Sequence, residues 1–364
     1  MTWVVVGGWL AGWVLLWRLP RLGPPAPAPA EGRRVSVVIP ARNEADRLPT
    51  LLAGLARQSR PADQVVVVDD GSSDGTAAAA RAAPGVDVVT ATAVPSGWNG
   101  KAWACAGGVR ATEGDVLVFL DADVELDGEA LASLLTTWEA RGGLVSVQPH
   151  HHIRRPIEAL SLPFNVVAVM GLGIGSLLPP RHEWGAAGPC IVTSRADYAR
   201  VGGHAAAPGA VAEDLALAQR YVDAGLEVRC VGGAPSIRFR MYRDLHGIVE
   251  GWSKNLVAGA HRTPVVRALG IGLWVTAVLA IAVRLAAGPA EVPGGLAGGV
   301  GLYGAVAGQT WLLGRSVGRF GAAALLWPAL FAFFVAVSAL SAVRATVLRR
   351  VRWSGRTLAI TGRR

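Results

Sequence analysis

The stretch from Gly114 to Asp123 limits the possible fold more than any other. Val116 to Leu120 is a short unbroken apolar run, the pattern of a strand covered on both faces. It leads directly into Asp121-Ala122-Asp123. Residues i and i+2 of an extended chain point the same way. Two carboxylates can therefore face one small volume at the strand's carboxyl end, where open α/β sheets bind ligands. Two hard oxygen donors there suit Mg²⁺ or Mn²⁺ carrying a phosphorylated substrate. The same residues also describe a solvated acidic turn, and taken alone they leave both readings open.

The flanking sequence supplies the sheet. Val35 to Ile39 reads as a strand ending in Pro40, with the loop Ala41-Arg42-Asn43-Glu44 after it and a helix from near Asp46. Gln64 to Val68 is a second strand. It ends in Asp69-Asp70-Gly71-Ser72-Ser73-Asp74-Gly75-Thr76, where Ser73 or Asp74 can cap the alanine-rich helix that follows. Val86 to Thr90 is a third strand, and Lys101 to Thr112 has a helical pattern. Cys190 to Thr193 reads as a strand, with helices at Ala212 to Asp223 and Asp244 to Ala260. Strand and helix alternate through residues 33 to 150, which implies a mostly parallel sheet.

Charge and apolarity point to a membrane. The chain is 364 residues long, 52% hydrophobic, with a net charge of +9. Such a charge favours an anionic partner: a membrane surface, a nucleotide or nucleic acid. No basic stripe interleaved with aromatics accompanies it, which sets nucleic acid aside. Nothing in the sequence specifies a protein partner. Trp3 to Trp17 is apolar and carries tryptophans along its length, which suits interfacial anchoring. Arg18, Arg21, Arg33 and Arg34 follow it, placing the next segment on the cytoplasmic side. Ile157 to Leu178 is apolar but broken by Pro163, Asn165 and glycines, and reads as a helix lying in the membrane interface. Three long apolar stretches close the chain, at about 268–287, 294–313 and 321–343. The joint 288–293 carries no Lys or Arg and suits the outside, whereas Arg315, Arg319 and the arginines of the tail suit the inside; three crossings from a cytoplasmic domain disagree with this, and a re-entrant stretch broken at Pro328 is one resolution.

Three cysteines (Cys105, Cys190, Cys230) are far apart and lack metal spacing, which fits reduced thiols. His150-His151-His152 reads as a solvated loop, since adjacent histidines do not share a face. Basic residues are nearly all arginine. Lys101 and Lys254 are the only lysines, which singles out both positions.

Several motifs together resemble the family 2 glycosyltransferases. They are Val35-Ser36-Val37-Val38-Ile39-Pro40-Ala41-Arg42-Asn43-Glu44, Val68-Asp69-Asp70-Gly71-Ser72-Ser73-Asp74-Gly75-Thr76 and Asp121-Ala122-Asp123. Gly188-Pro189-Cys190, Val201-Gly202-Gly203 and Glu213-Asp214 follow in order. The resemblance covers about residues 33 to 256. Gly97-Trp98-Asn99-Gly100-Lys101, Met241-Tyr242-Arg243 and Glu250-Gly251-Trp252-Ser253-Lys254-Asn255 narrow it to a membrane branch that includes carotenoid-acid and hopanoid-associated enzymes. The Gln-x-x-Arg-Trp motif of processive polysaccharide synthases is absent: Ile248-Val249-Glu250-Gly251-Trp252 stands there. That departure weakens polymer synthesis as the alternative.

The resemblance implies an α/β GT-A fold, with a mixed, mostly parallel sheet and transmembrane helices at both ends. It implies transfer of a sugar, with inversion, from a nucleotide-sugar (UDP-linked) to a membrane lipid of isoprenoid type. Pro40, Asn43, Glu44, Asp69, Asp70 and Lys101 are implied to bind the nucleotide, together with Asp121. Asp121 and Asp123 are implied to hold Mg²⁺ or Mn²⁺. Asp214, beside Glu213, is the implied base. Trp252, Arg243 and Lys254 are implied to meet the acceptor or the diphosphate. The expected layout is an anchor at 1–18, a Pro/Ala-rich linker at 19–32 and a cytoplasmic catalytic domain at 33–265, with 157–178 interfacial. A transmembrane region at 266–346 and a basic tail at 347–364 complete it. A nucleotide-binding membrane scaffold without transferase activity is the alternative from another class. A nucleotidyltransferase would need a glycine-rich loop where Pro40 to Glu44 stand.

Overall fold

The computed structural model describes residues 2–26, 32–178, 185–210, 212–260, 262–344, 350–353 and 356–359. Parts of the expected linker (27–31) and of the basic tail (347–349, 354–355 and 360–364) lie outside the described residues. In chain order the elements begin α1 (Thr2–Leu15), β1 (Val35–Ala41), α2 (Leu48–Leu55), β2 (Gln64–Asp69), α3 (Thr76–Arg81), β3 (Val86–Thr90), α4 (Gly100–Arg110) and β4 (Val116–Leu120). Then come β5 (Val124–Leu126), α5 (Ala130–Glu139), β6 (Leu144–Gln148), β7 (His150–His152), α6 (Leu162–Leu172), β8 (Cys190–Ser194), α7 (Arg195–Arg200) and α8 (Glu213–Asp223). The chain continues through β9 (Val228–Gly232), β10 (Ile237–Phe239), α9 (Leu245–Ala260), α10 (Val265–Ala287), α11 (Gly295–Val317), β11 (Gly318–Arg319), α12 (Trp327–Val343), β12 (Arg350–Trp353) and β13 (Arg356–Ala359).

These elements divide into two compact units. A sheet unit holds Pro20–His150 and Pro180–Met241; a helical unit holds Met1–Leu19, His151–Pro179 and Tyr242–Arg364. The sheet unit is built on strands in the order β3-β2-β1-β4-β8-β6-β9. All run parallel except β8, which is antiparallel to both β4 and β6.

The pleat of β4 explains its unbroken apolarity. Val116, Val118 and Leu120 enter one core with Leu48, Leu51 and Leu55 of α2 and Leu131 and Leu135 of α5. Leu117 and Phe119 enter a second core with Ala104 of α4 and Leu217 and Tyr221 of α8. With helices on both faces, no position of the strand is left for a polar residue. Burying one such side chain contributes about 1.5–3 kcal/mol. The polar residues are displaced to the carboxyl edge, where β1 ends in Ala41, β2 in Asp69 and β4 in Leu120 before Asp121.

The helical unit contains α1, α6, α9, α10, α11 and α12. Val265–Ala287 and Gly321–Val343 are long and apolar enough to cross a membrane, each with 23 residues. α11 has the same length, whereas α1 has 14 residues, about two-thirds of a span. Pro328 falls in the first turn of α12, where its missing N–H would have no helical partner in any case. It follows a 3₁₀ turn at Gly321–Leu326 and breaks no helix interior. The apolarity of Ile157 to Leu178 is taken up largely by packing: Leu162, Phe164, Val166, Val169 and Met170 of α6 are buried within the unit.

The reading of His150-His151-His152 as a solvated loop is corrected. These residues form β7, and His151 pairs with Gly318 of β11. His151 is fully buried, with its ring 5.4 Å from that of Phe320 and its Nδ1 3.2 Å from Asn165 Nδ2.

Candidate active site

Two loops at the carboxyl edge of the sheet are interlocked. After β1, the Asn43 N–H donates to Ser72 Oγ, the Glu44 N–H to Thr76 Oγ1 and the Ala45 N–H to Asp74 Oδ2. In return Asn43 Oδ1 accepts from the Ser73 N–H at 2.9 Å. Asn43 makes this exchange at φ +56°, the left-handed region that Asn tolerates better than most residues. Asp69 Oδ1 accepts from the Ser72 N–H at 3.1 Å, and Arg42 donates to the Asp70 carbonyl at 3.2 Å. Asp69 and Asp70 are both buried, each 7% exposed. The two aspartates at the base of the turn are therefore internal, while its tip, Ser73 to Gly75, is exposed. Glu44 forms an ion pair with Arg47, which also donates to the Met241 carbonyl.

The second group of residues centres on Lys101. α4 lies tight on the sheet: a Cβ at Gly108 would stand 2.4 Å from Val38 Cγ1 and 3.0 Å from Val68 Cγ2. Asn99 caps the helix, its Oδ1 accepting from the Lys101 N–H at 2.9 Å. Asn99 also ties this end to the loop before α8, donating to the carbonyls of Pro208 and Ala210. The Lys101 Nζ thus reaches Asp121 Oδ1 at 2.7 Å and Glu213 Oε1 at 2.9 Å. Burial opposes its charge, but Asp121, Glu213 and Asp214 hold the ammonium well above the usual lysine range.

The carboxylates around it are crowded. Burial pushes the Asp123 carboxyl up to about 7, helped by Asp121 and Glu44 and opposed by Arg47 and Lys101. Burial and the neighbouring Glu213 push Asp214 up to about 6, against the pull of Lys101. Beneath this group, His204 is buried and its Nδ1 lies 2.8 Å from the Tyr198 hydroxyl. Burial lowers its pKa to about 4, so the ring is neutral at ordinary pH.

Asp121 and Asp123 fit a divalent cation. They are hard oxygen donors at a sheet edge, and besides burial the Asp121 carboxylate lies close enough to raise Asp123, a like-charge pair that a cation would relieve. Among the described residues, no group of three or more His, Cys, Asp or Glu could hold a metal ion. A cation at this pair would complete its coordination with substrate phosphates and water, as Mg²⁺ sites commonly do.

The sheet unit thus gathers Asp121, Asp123, Lys101, Glu213 and Asp214, along with Glu44. It sets Asn43, Asp69 and Asp70 in the interlocked loops, with Pro40 inside β1 opposite Val68. Trp252, Arg243 and Lys254 stand in the helical unit. Trp252 is 4% exposed and stacks on Phe164 (5.1 Å between centroids, 19° between planes). Its Nε1–H donates to Ser161 Oγ at 3.1 Å. Tyr242 lies edge-on to it and directly over Gly251, where a Cβ would stand 2.2 Å from the ring. Arg243 and Lys254 are half-buried. Sequence reasoning quoted Asn99 and Gly188 within motifs but gave neither a role, and it did not single out His204. The first has the cap signature of an Asn ahead of a helix, and His204 follows two glycines with φ of +77° and +53°.

A doubly covered sheet of this order, with acids gathered at its carboxyl edge, has the architecture of the GT-A fold. The comparisons with known proteins agree. The glycosyl transferase family 2 profile matches residues 36–192. The 4,4'-diaponeurosporenoate glycosyltransferase of Staphylococcus aureus (strain USA300) is 34% identical over 337 residues, covering 90% of this chain and 89% of that protein. Its counterpart in strain MRSA252 is 33% identical over 339 residues, with the same coverage. Among solved structures, the mannosyltransferase PcManGT of Pyrobaculum calidifontis, in complex with GDP-Man and Mn²⁺, matches with a TM-score of 0.51 and 19% identity. That match covers 93% of this chain and 94% of the other and supports the fold. The chain belongs to the family 2 glycosyltransferases and is a glycosyltransferase.

Proposed function

We propose that the enzyme transfers a sugar from a UDP-linked donor to an isoprenoid lipid held at the membrane, with inversion at the anomeric carbon. The observation that carries this reading is Lys101, whose ammonium joins Asp121 at the end of β4 to Glu213 at the start of α8. Asp121 would serve the donor and Glu213 stands beside the proposed base, and one ammonium touches both. The interlocked loops carrying Asn43, Glu44, Asp69 and Asp70 would seat the nucleotide, with Pro40 behind them. Lys101 would reach the uridine or the diphosphate. A divalent cation (Mg²⁺ or Mn²⁺), held by Asp121 and Asp123, would supply charge neutralisation for the departing diphosphate.

Asp214 would accept the proton of an acceptor hydroxyl. The acceptor oxygen would then form its bond to the anomeric carbon on the face opposite the diphosphate, as the bond to the diphosphate breaks. Its carboxyl at about 6 suits a base working near neutrality. An acceptor carboxylate arrives already deprotonated and needs no base. The carotenoid-acid relatives support an isoprenoid acceptor, which an enzyme with apolar helices would meet in the bilayer. In this reading 265–287 and 321–343 cross the membrane, α1 anchors the amino terminus, and the arginines after α1 keep the catalytic domain cytoplasmic. Trp252 would shape the acceptor side from within the aromatic cluster, and Arg243 and Lys254 would meet the diphosphate or anionic lipid.

The test is transfer in membranes carrying the full chain, using a panel of UDP-sugars and isoprenoid alcohols and acids, with products read by mass spectrometry. Asp214→Asn should retain UDP binding and lose transfer to hydroxyl acceptors. Undiminished transfer would remove Asp214 from the role of base. Binding of UDP without consumption of any donor across the panel would favour a binding module instead.

A further inference from the structure

Lys101 stands where two acid pairs meet. Asp121 and Asp123 follow β4, and Glu213 and Asp214 open α8; the Lys101 Nζ touches a member of each pair, at 2.7 and 2.9 Å. The backbone that delivers it is fixed, because Gly108 seats α4 against Val38 and Val68 and Asn99 ties its start to the loop at 208–210. The charge itself sits at the end of a side chain and not on that backbone. A lysine carries a point charge on a flexible four-carbon stem, with no planar fork to hold it to one carboxylate. Such a group suits a contact that is made and later released.

Asp121 is also one of the two carboxylates that fit a divalent cation. An ammonium 2.7 Å from Asp121 Oδ1 would repel a dication held by the same carboxylate. On the proposed reading that Asp121 and Asp123 receive such a cation, we infer that Lys101 is its placeholder. In the donor-free enzyme its ammonium neutralises Asp121 and Glu213 together. When donor and cation arrive together, the ammonium leaves Asp121 for the donor's diphosphate. The cation alone is disfavoured, and donor and cation load as one unit. Lys101 is thereby a positioning residue that sets the order of binding, besides any contact it makes with the nucleotide.

The test is Mn²⁺ binding to the full chain in detergent, with free ion counted by electron paramagnetic resonance, with and without UDP. In wild type, UDP should tighten Mn²⁺ binding at least tenfold; independent binding of the two overturns the inference without any variant. Without UDP, Lys101→Met should bind Mn²⁺ at least tenfold more tightly than wild type. That gain should vanish in the Lys101→Met/Asp121→Asn double variant. Unchanged or weaker binding by Lys101→Met overturns the inference. So does a gain that persists without the Asp121 carboxylate, because it would reflect general repulsion and not exchange at Asp121. Lys101→Gln, checked for folding by circular dichroism, gives the same reading if Lys101→Met does not fold. If wild type binds no Mn²⁺ even with UDP, the metal reading itself fails, and that result differs from tight binding without synergy.

Discussion

Gly188 lies against the carboxylate of Asp214: a Cβ at position 188 would stand 2.7 Å from Asp214 Oδ2 and 3.1 Å from its Cγ. The backbone before β8 thus forms one wall of the space in which the proposed base sits. Gly188→Ala should push the Asp214 carboxylate aside, since both its oxygen and its carbon are too close. Overpacking of this kind costs about 1–3 kcal/mol. Transfer to hydroxyl acceptors should fall at least tenfold, while UDP affinity stays within about twofold. Full activity of Gly188→Ala would show that the placement of Asp214 against this wall is unimportant.

The pH dependence follows from the same carboxyl. Asp214 is raised from 3.8 to about 6 by burial and by Glu213. A base must be deprotonated, so the rate of hydroxyl transfer should rise with pH through about 6. The sign for stability is opposite. The folded state holds this proton more tightly than the unfolded chain does, so the group's contribution to stability falls as pH rises from about 4 to about 6. Glu213→Gln removes the like charge and should move the rising limb to lower pH. A pH–rate profile of both proteins checks this, and a limb that stays in place would separate Glu213 from the titration.

Asn43 links backbone strain to the nucleotide cup. Its φ of +56° costs an ordinary residue about 1–2 kcal/mol, and its Oδ1 accepts from the Ser73 N–H. Asn43→Ala should lose both the tolerated backbone and that bond, worth about 0.5–1.5 kcal/mol. Asn43→Gly keeps the backbone and loses only the bond. Thermal melts should rank wild type above Asn43→Gly above Asn43→Ala, with UDP affinity weakened in both variants. Equal melting of the two variants would remove the strain from the account.

Much of the sheet was legible because its rules are local. The run Val116 to Leu120 is apolar at each position, since the helices on both faces leave no polar side, and its end marks the edge where ligands bind. The Asp69 to Thr76 turn was read correctly as glycine-rich and acidic. Its partner was not visible, because Asn43 and Ser73 meet only once β1 and β2 are in register. The bridge from Asp121 through Lys101 to Glu213 joins three segments distant in sequence; the rarity of lysine and the family motifs singled out its members but not their contact. His151 was misread for the same reason. Three consecutive histidines look solvated until the edge pairing with Gly318 encloses the middle one. Trp252 was read as meeting the acceptor or the diphosphate; its burial against Phe164 was not visible, because that ring comes from a helix more than 80 positions earlier.

The amino-terminal helix offers a test of the helical unit. Gly8 and Gly12 face α10 at a spacing that lets two helices approach closely. A Cβ at Gly8 would stand 2.6 Å from the Leu273 carbonyl oxygen and 2.6 Å from Ala277 Cβ. At Gly12 it would stand 2.6 Å from Trp274 Nε1, whose N–H donates to Gln309 Oε1, while Gln309 Nε2 donates to the Trp9 carbonyl. α1, α10 and α11 are therefore stitched together by close backbone contact and one amide. Gly7 is the internal control, because nothing lies within 4 Å of a Cβ there. Gly7→Val and Gly8→Val carry the same helix-propensity change, so their difference isolates the contact with α10. Gly8→Val should lower thermal stability in detergent by about 1–3 kcal/mol more than Gly7→Val. Equal stability of the two would mean that α1 is held by something other than its close approach to α10.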